Sequence, residues 1–301
     1  MAARVATGLE GVLPVDKPSG MTSHDVVAAL RRATGERRIG HAGTLDPSAT
    51  GLLVVLIGPY TRLEPYLSKS QKRYFATVRF GAATDTDDAE GAVVAEAPVP
   101  GLVSDEQAAR ETVAGLIGVH EQVPPAYSAI KRHGVAAHRA ARCGSPLALD
   151  PRQVRILEAQ LLAVRPDEAE WDLSLTVSAG TYVRAIARDL GRMLGTAAHL
   201  AALRRTASGR IGLEQAHPLS ECLEAAAAGS IDRLFTDPFE ALGLPVVEAE
   251  AAWVSSGRAL PAPADAADLV AVRADGRLAA LYRRSGARLA PVAVFPKGGP
   301  A

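Results

Sequence analysis

His41-Ala42-Gly43-Thr44-Leu45-Asp46-Pro47-Ser48-Ala49-Thr50-Gly51 holds one carboxylate in a run with no other acid and no Lys or Arg. Gly43, Pro47 and Gly51 interrupt both helical and strand periodicity, so the stretch reads as a shaped loop. Pro47 biases the backbone of Asp46 away from the helical region. A carboxylate presented this way serves as a nucleophile, a base or a turn-capping group. Asp-Pro by itself is a common turn starter, so the neighbouring segments decide between these roles.

Working outward, residues 11–15 read as a short strand and Asp16-Lys17-Pro18-Ser19-Gly20 as a tight turn. Thr22 or Ser23 then caps a helix running to about Arg32, with Val26, Val27 and Leu30 on its inner face. On the other side, 52–57 is an apolar run suited to a buried strand. In 74–80, Tyr74, Ala76, Val78 and Phe80 alternate with Phe75, Thr77 and Arg79, the period of a strand. A helix is expected over 106–116, paired strands over 154–164 and 171–177, an amphipathic helix over 182–194 and another helix over 219–228. In that third helix Arg184, Arg188 and Arg192 share a face. Beyond Pro238, Val270 to Tyr282 carries an Asp275-Gly276 hairpin signal, and 291–295 adds a short strand.

The 301 residues are 48% hydrophobic, enough for one large domain and a small one, and no apolar run is long enough for a membrane span. Residues 1–7 lack the apolar core of a signal peptide. Cys143 and Cys222 fit no metal spacing, and the expected setting is a reducing cytoplasm. Net charge is zero, yet it is segregated: 31–41, 131–155 and 184–210 hold 16 Lys/Arg against 3 Asp/Glu, while 85–111 holds eight acids against Arg110. Such segregation makes a basic face on a neutral protein. The long basic stretch 122–152, punctuated by Pro124, Pro125, Gly134, Gly144 and Pro146, shows no core periodicity, which marks a functional or disordered segment.

Five ordered blocks resemble the TruB family of tRNA pseudouridine synthases: the loop around Asp46, Gly11 to Ser23, Lys72-Arg73-Tyr74, Gly180-Thr181-Tyr182-Val183-Arg184, and Leu203-Arg204-Arg205. The resemblance spans roughly residues 11–235 and weakens after about 240. It implies an α+β pseudouridine synthase fold: a mixed, largely antiparallel sheet with flanking helices around an RNA cleft. The expected catalytic domain is 8–237, with 122–152 as an RNA-gripping insertion. The small β-rich module 240–301 would be PUA-like. The implied activity is isomerisation of uridine-55 in the T-loop of tRNA. It needs no cofactor and no metal, and it is carried out by a monomer on the T-arm without an obligatory protein partner. A guide-RNA-directed synthase of the same superfamily and a non-catalytic tRNA-binding module are the rival readings.

The same resemblance makes Asp46 the nucleophile and sets Arg184 against its carboxylate. An extruded base wants an aromatic face, and only 4% of the chain is aromatic. Tyr74 is the stacking candidate and Tyr182 a second pocket aromatic. His41 would touch the substrate loop and Leu203 would wall the pocket. Lys17 is architectural or phosphate-facing. Lys131, Arg132, Arg139, Arg142 and Arg188 are the expected phosphate contacts. Thr84 to Gly91 mimics a calcium loop, but Ala89 occupies a ligand position and no Glu closes the loop, so a solvated acidic loop is expected there.

Overall fold

The computed structural model describes residues 7–132, 134–145, 147–263 and 266–296. The chain divides into two compact units. One comprises Met1–Pro47, Gly51–Ser68 and Ser208–Ala301; the other comprises Ser48–Thr50 and Lys69–Ala207.

The first unit is built on the strand Gly11–Lys17, whose residues are almost all buried. It pairs antiparallel with Thr50–Ile57, setting Val15 opposite Leu53, and parallel with His217–Pro218, so the sheet is mixed. Ile39–His41 adds a short antiparallel strand to Thr50–Ile57. The helix Ser23–Thr34 begins as its sequence dictates. The Thr22 side chain accepts from the Asp25 amide, the Asp25 carboxylate accepts from the Thr22 amide, and Gly35 ends the helix in the left-handed region. Val26, Val27 and Leu30 are buried as expected.

The chain after residue 240 folds into a five-stranded sheet in the order Val246–Glu248, Leu269–Ala274, Arg277–Ser285, Arg288–Val294, Leu260–Pro261. Asp275 (φ 50°) and Gly276 (φ 75°) make its central hairpin turn, the left-handed pair that Asp-Gly favours. One face of this sheet packs on itself through Val270, Val272, Leu289 and Tyr282. The other face supplies Ala271, Leu278, Leu281, Ala293 and Phe295 to a core shared with Val12, Leu52, Val54, Leu56 and Tyr60. Tyr60 and Phe295 meet edge to face at 5.4 Å. Arg277 grips the Glu10 carboxylate through two bonds of 2.7 Å.

In the second unit the strands run in the order Ala198–Ser208, Lys72–Phe80, Glu170–Val177, Arg152–Arg165, Gly118–Gln122. The last four pair antiparallel, with Tyr74 opposite Leu175 and Arg152 opposite Gln122. Phe80 packs on Trp171 at 4.8 Å, and the Trp171 indole donates to the Val103 carbonyl at 2.7 Å. The helix Val183–Met193 covers this sheet with Val183, Ile186, Ala187 and Leu190 buried.

The basic stretch does carry some regular structure. Its ends are the paired residues Gln122 and Arg152. Between them lie a small hairpin, Lys131–Arg132 with Val135–Ala136, and the helix Ala137–Arg142.

Candidate active site

The loop that carries Asp46 has no regular structure from Thr44 to Asp46. Gly43 (φ 118°) and Gly51 (φ 96°) occupy backbone conformations that side chains resist, which explains glycine at both ends. The loop is pinned on either side of the carboxylate. Ser23 Oγ donates to the Leu45 carbonyl at 3.1 Å and accepts from the Leu45 amide at 2.9 Å. The Pro47 carbonyl accepts from the Gly20 amide at 2.9 Å and from Lys17 Nζ at 3.1 Å. Asp46 lies between these fastened neighbours and is half-buried.

Lys17 is fully buried, and its ammonium also donates to the carbonyls of Pro18 (2.8 Å) and Met21 (2.6 Å). A buried ammonium with its three donors on three carbonyls is satisfied where it stands. Of the two readings of Lys17, these bonds favour the architectural one over a phosphate-facing or substrate-binding one: it holds the turn and the Asp46 loop together. His41 ends the strand Ile39–His41 and is half-buried.

Tyr74, Tyr182, Arg184, Arg188 and Leu203 belong to the second unit. Tyr74 is 9% exposed, on the inward row of Lys72–Phe80. Tyr182 caps the helix Val183–Met193 in extended conformation. Its backbone is held by the buried Gln122 side chain, which accepts from the Tyr182 amide at 2.9 Å and donates to its carbonyl at 3.1 Å. The Arg152 guanidinium lies 4.7 Å over the Tyr182 ring and donates to the Gly180 carbonyl. Leu203 is half-buried on Ala198–Ser208, beside Arg205, which is 1% exposed.

Arg184 is buried. It donates to the carbonyls of Thr86 (2.8 Å) and Tyr127 (2.9 Å) and lies 3.5 Å from the Asp88 carboxylate. One helical turn on, Arg188 bonds the Asp87 carboxylate and the Val123 carbonyl, each at 2.9 Å, and Asp189 at 2.9 Å. Burial alone lowers the guanidinium pKa of Arg188, but Asp189 and Asp87 outweigh it and raise the net value.

These contacts bear on two expectations. Arg188 spends its charge on two carboxylates, which stands against its reading as a phosphate contact. The acidic turn is only partly solvated, with Asp85 and Glu90 exposed and its middle buried. Asp88 and Thr84 are each 6% exposed, and Thr84 Oγ donates to the Asp88 carbonyl at 2.6 Å. The two arginines compensate the buried carboxylates, and burial raises the Asp87 pKa against the pull of Arg188.

Of the other expected phosphate contacts, Arg139 and Arg142 are exposed on the insertion's helix. Arg132 bonds the Ala148 carbonyl and lies 3.8 Å from Asp150. Lys131 lends its backbone to the hairpin; its side chain lies outside the described residues, as do His133 and Pro146. Gln122, Tyr127 and Arg152 organise this half and were not singled out from sequence. Their role follows from strand register, which a single sequence does not display.

A family model described as TruB family pseudouridylate synthase (N terminal domain) matches residues 31–183, and one described as tRNA pseudouridylate synthase B C-terminal domain matches 184–242. The chain belongs to the TruB family of pseudouridylate synthases.

Among TruB-family relatives, the tRNA pseudouridine synthase B of Mycobacterium bovis (strain BCG / Pasteur 1173P2) is 44% identical over 294 residues, covering 96% of this chain and 97% of that one. The protein of the same name from Mycolicibacterium paratuberculosis is 46% identical over 288 residues, covering 95% and 97%. The solved structure of a Cbf5-Nop10-Gar1 complex superposes with a TM-score of 0.69 at 24% identity, over 95% of this chain and 85% of that one. This likeness is one of fold. Among the described residues of this TruB-family chain, no three His, Cys, Asp or Glu side chains gather as metal ligands, and no helix is long and apolar enough to cross a membrane.

Proposed function

We propose that this chain isomerises uridine-55 in the T-loop of tRNA to pseudouridine, with Asp46 as nucleophile. The observation that carries this reading is the fastening of Leu45 and Pro47 on either side of Asp46 by Ser23, Gly20 and the buried Lys17. Pre-set placement of a reacting group removes much of the entropic barrier to attack. The names of the relatives support tRNA as the substrate.

The reaction breaks the bond between ribose C1′ and uracil N1 and makes one from C1′ to C5. The C5 proton is lost and N1 gains one, so atoms and electrons balance without a cofactor. Tyr74 provides the face on which the flipped base stacks. Tyr182 and Leu203 complete the pocket, and His41 meets the substrate loop. Arg184 is the cation that keeps the catalytic carboxylate ionised. The exposed Arg139 and Arg142 meet backbone phosphates. The enzyme works in the cytoplasm as a monomer, without a protein partner, a guide RNA or a metal.

The test is purified protein alone with an unmodified T-arm hairpin in chelator, followed by mapping of pseudouridine. Wild type should convert the one uridine. Asp46→Asn should retain tRNA affinity while turnover falls roughly a thousandfold or more, on the order of 4 kcal/mol of barrier. Conversion that requires added protein, guide RNA or divalent ion would refute the reading, as would an active Asp46→Asn.

A further inference from the structure

We infer that Arg188 and Asp87 form a positioning pair that fixes the leading edge of the 122–152 insertion to the acidic turn and the helix Val183–Met193, and so sets Arg184. The inference rests on the proposed tRNA activity.

Three segments distant in sequence meet at one guanidinium. Arg188 reaches Asp87 at 2.9 Å, 101 residues away, and the Val123 carbonyl at 2.9 Å, 65 residues away. Val123 directly follows Gln122, the last paired residue before the insertion leaves the sheet. Asp87 sits at φ 61°, a left-handed conformation uncommon for a side-chain-bearing residue. It also fastens the turn to the strand Ala198–Ser208, because its carbonyl accepts from the Leu200 amide at 3.0 Å. Arg184 makes a parallel set of bonds one turn earlier, to Thr86 and Tyr127 of the same two segments. Arg188 is therefore the outer of two rungs between the acidic turn and the insertion, and both side chains of its pair are mostly buried, at 13% and 14% exposure. Within low-dielectric surroundings such a pair has a defined geometry. Loss of Arg188 leaves the mostly buried Asp87 carboxylate without its hydrogen-bonded cation, whereas loss of the Asp87 charge leaves Arg188 held to Asp189 and the Val123 carbonyl. The insertion's base then loses its anchor, and Arg184 loses the support of the outer rung.

A phosphate contact and a positioning pair predict opposite things. Neutralising a phosphate contact lowers the slope of log affinity against log salt by up to about one unit. Loosening a positioning pair lowers the rate at saturating RNA and leaves that slope alone, with losses of roughly tenfold to a hundredfold for a misplacement near 1 Å. The experiment measures single-turnover conversion of a T-arm hairpin at saturating enzyme, and the salt dependence of binding, for wild type, Arg188→Ala, Arg188→Lys, Asp87→Asn and the Arg188→Ala/Asp87→Asn double variant. Asp87→Asn keeps the side-chain shape and tolerates positive φ, so it provides a folded variant if Arg188→Ala melts early. The expected result is a rate loss of roughly tenfold or more in each alanine or asparagine variant. The double variant should be no worse than the worse single, Arg188→Lys should fall between, and the salt slope should not change. A slope reduced by about one unit with an intact rate, additive losses in the double variant, or rates equal to wild type would overturn the pair. A wild type that makes no pseudouridine would instead overturn the proposed activity, so the two failures are distinguishable.

Discussion

At the scale of the residue, the Asp46 carboxylate is placed by groups that do no chemistry. Lys17 is the most telling, because a fully buried ammonium survives only when every N–H finds an acceptor. Lys17→Met should therefore cost on the order of 1–3 kcal/mol for each carbonyl left without its donor. Turnover should fall while the salt slope of tRNA binding stays constant; a normal urea melt with a reduced slope would return Lys17 to the phosphate contacts. Tyr74 tests the stacking role: Tyr74→Phe should keep activity within a few-fold of wild type, and Tyr74→Ala should lose the roughly 1–3 kcal/mol of base–aromatic stacking. Equal damage from both, measured as single-turnover rate, would assign the hydroxyl instead. The shaped loop around Asp46 was legible because Gly43, Pro47 and Gly51 leave a local signature, while the nucleophile role came only from the resemblance carried by the five ordered blocks. The partners of Arg184 and Arg188 were not, since residues 86 to 88 and 123 to 127 reach them only through the fold.

At the scale of the element, the strands and helices follow their sequence periods closely. The alternation of Tyr74 to Phe80 became the buried-and-exposed alternation of Lys72–Phe80, and the capping pattern at Thr22 became the start of Ser23–Thr34. The acidic turn followed only in part. Asp85 and Glu90 are exposed as its composition predicts, while Asp87 and Asp88 lie against Arg188 and Arg184, and Asp88 also accepts from Thr86 Oγ and the Glu90 amide. The insertion lies between these cases. Its lack of a core period did not mean missing structure, since a short hairpin and the helix Ala137–Arg142 lie within it. Its helix Ala137–Arg142 exposes Arg139 and Arg142. Replacing both with alanine should lower the salt slope of tRNA binding by up to about two units. Arg132→Ala should change the slope less, because its guanidinium is already bonded to the Ala148 carbonyl. An unchanged slope in the double variant would mean that this helix does not touch RNA backbone.

At the scale of the whole molecule, the C-terminal sheet was expected from its Asp-Gly hairpin as a small separate module. Its hairpin is there, but Ala271, Leu278, Leu281 and Phe295 share a core with Val12, Leu52 and Tyr60. Local patterns reveal strands; they do not reveal which distant strand a given apolar face will cover. A chain ending at residue 243 should consequently lose cooperative thermal unfolding and solubility, since each large apolar side chain uncovered costs roughly 1.5–3 kcal/mol. A truncated protein that melts as sharply as the full chain and keeps its activity would make the tail a passive appendage. The Glu10–Arg277 grip spans 267 residues of sequence. A ribosome adding roughly 5–20 residues per second needs on the order of ten seconds to a minute to make that stretch. Throughout that interval Val12, Leu52 and Tyr60 are made without Leu281 and Phe295, which complete their core. Synthesis therefore includes a waiting period in which one apolar face of the first sheet stays uncovered, and it ends only once Arg277–Ser285 and Arg288–Val294 have been made.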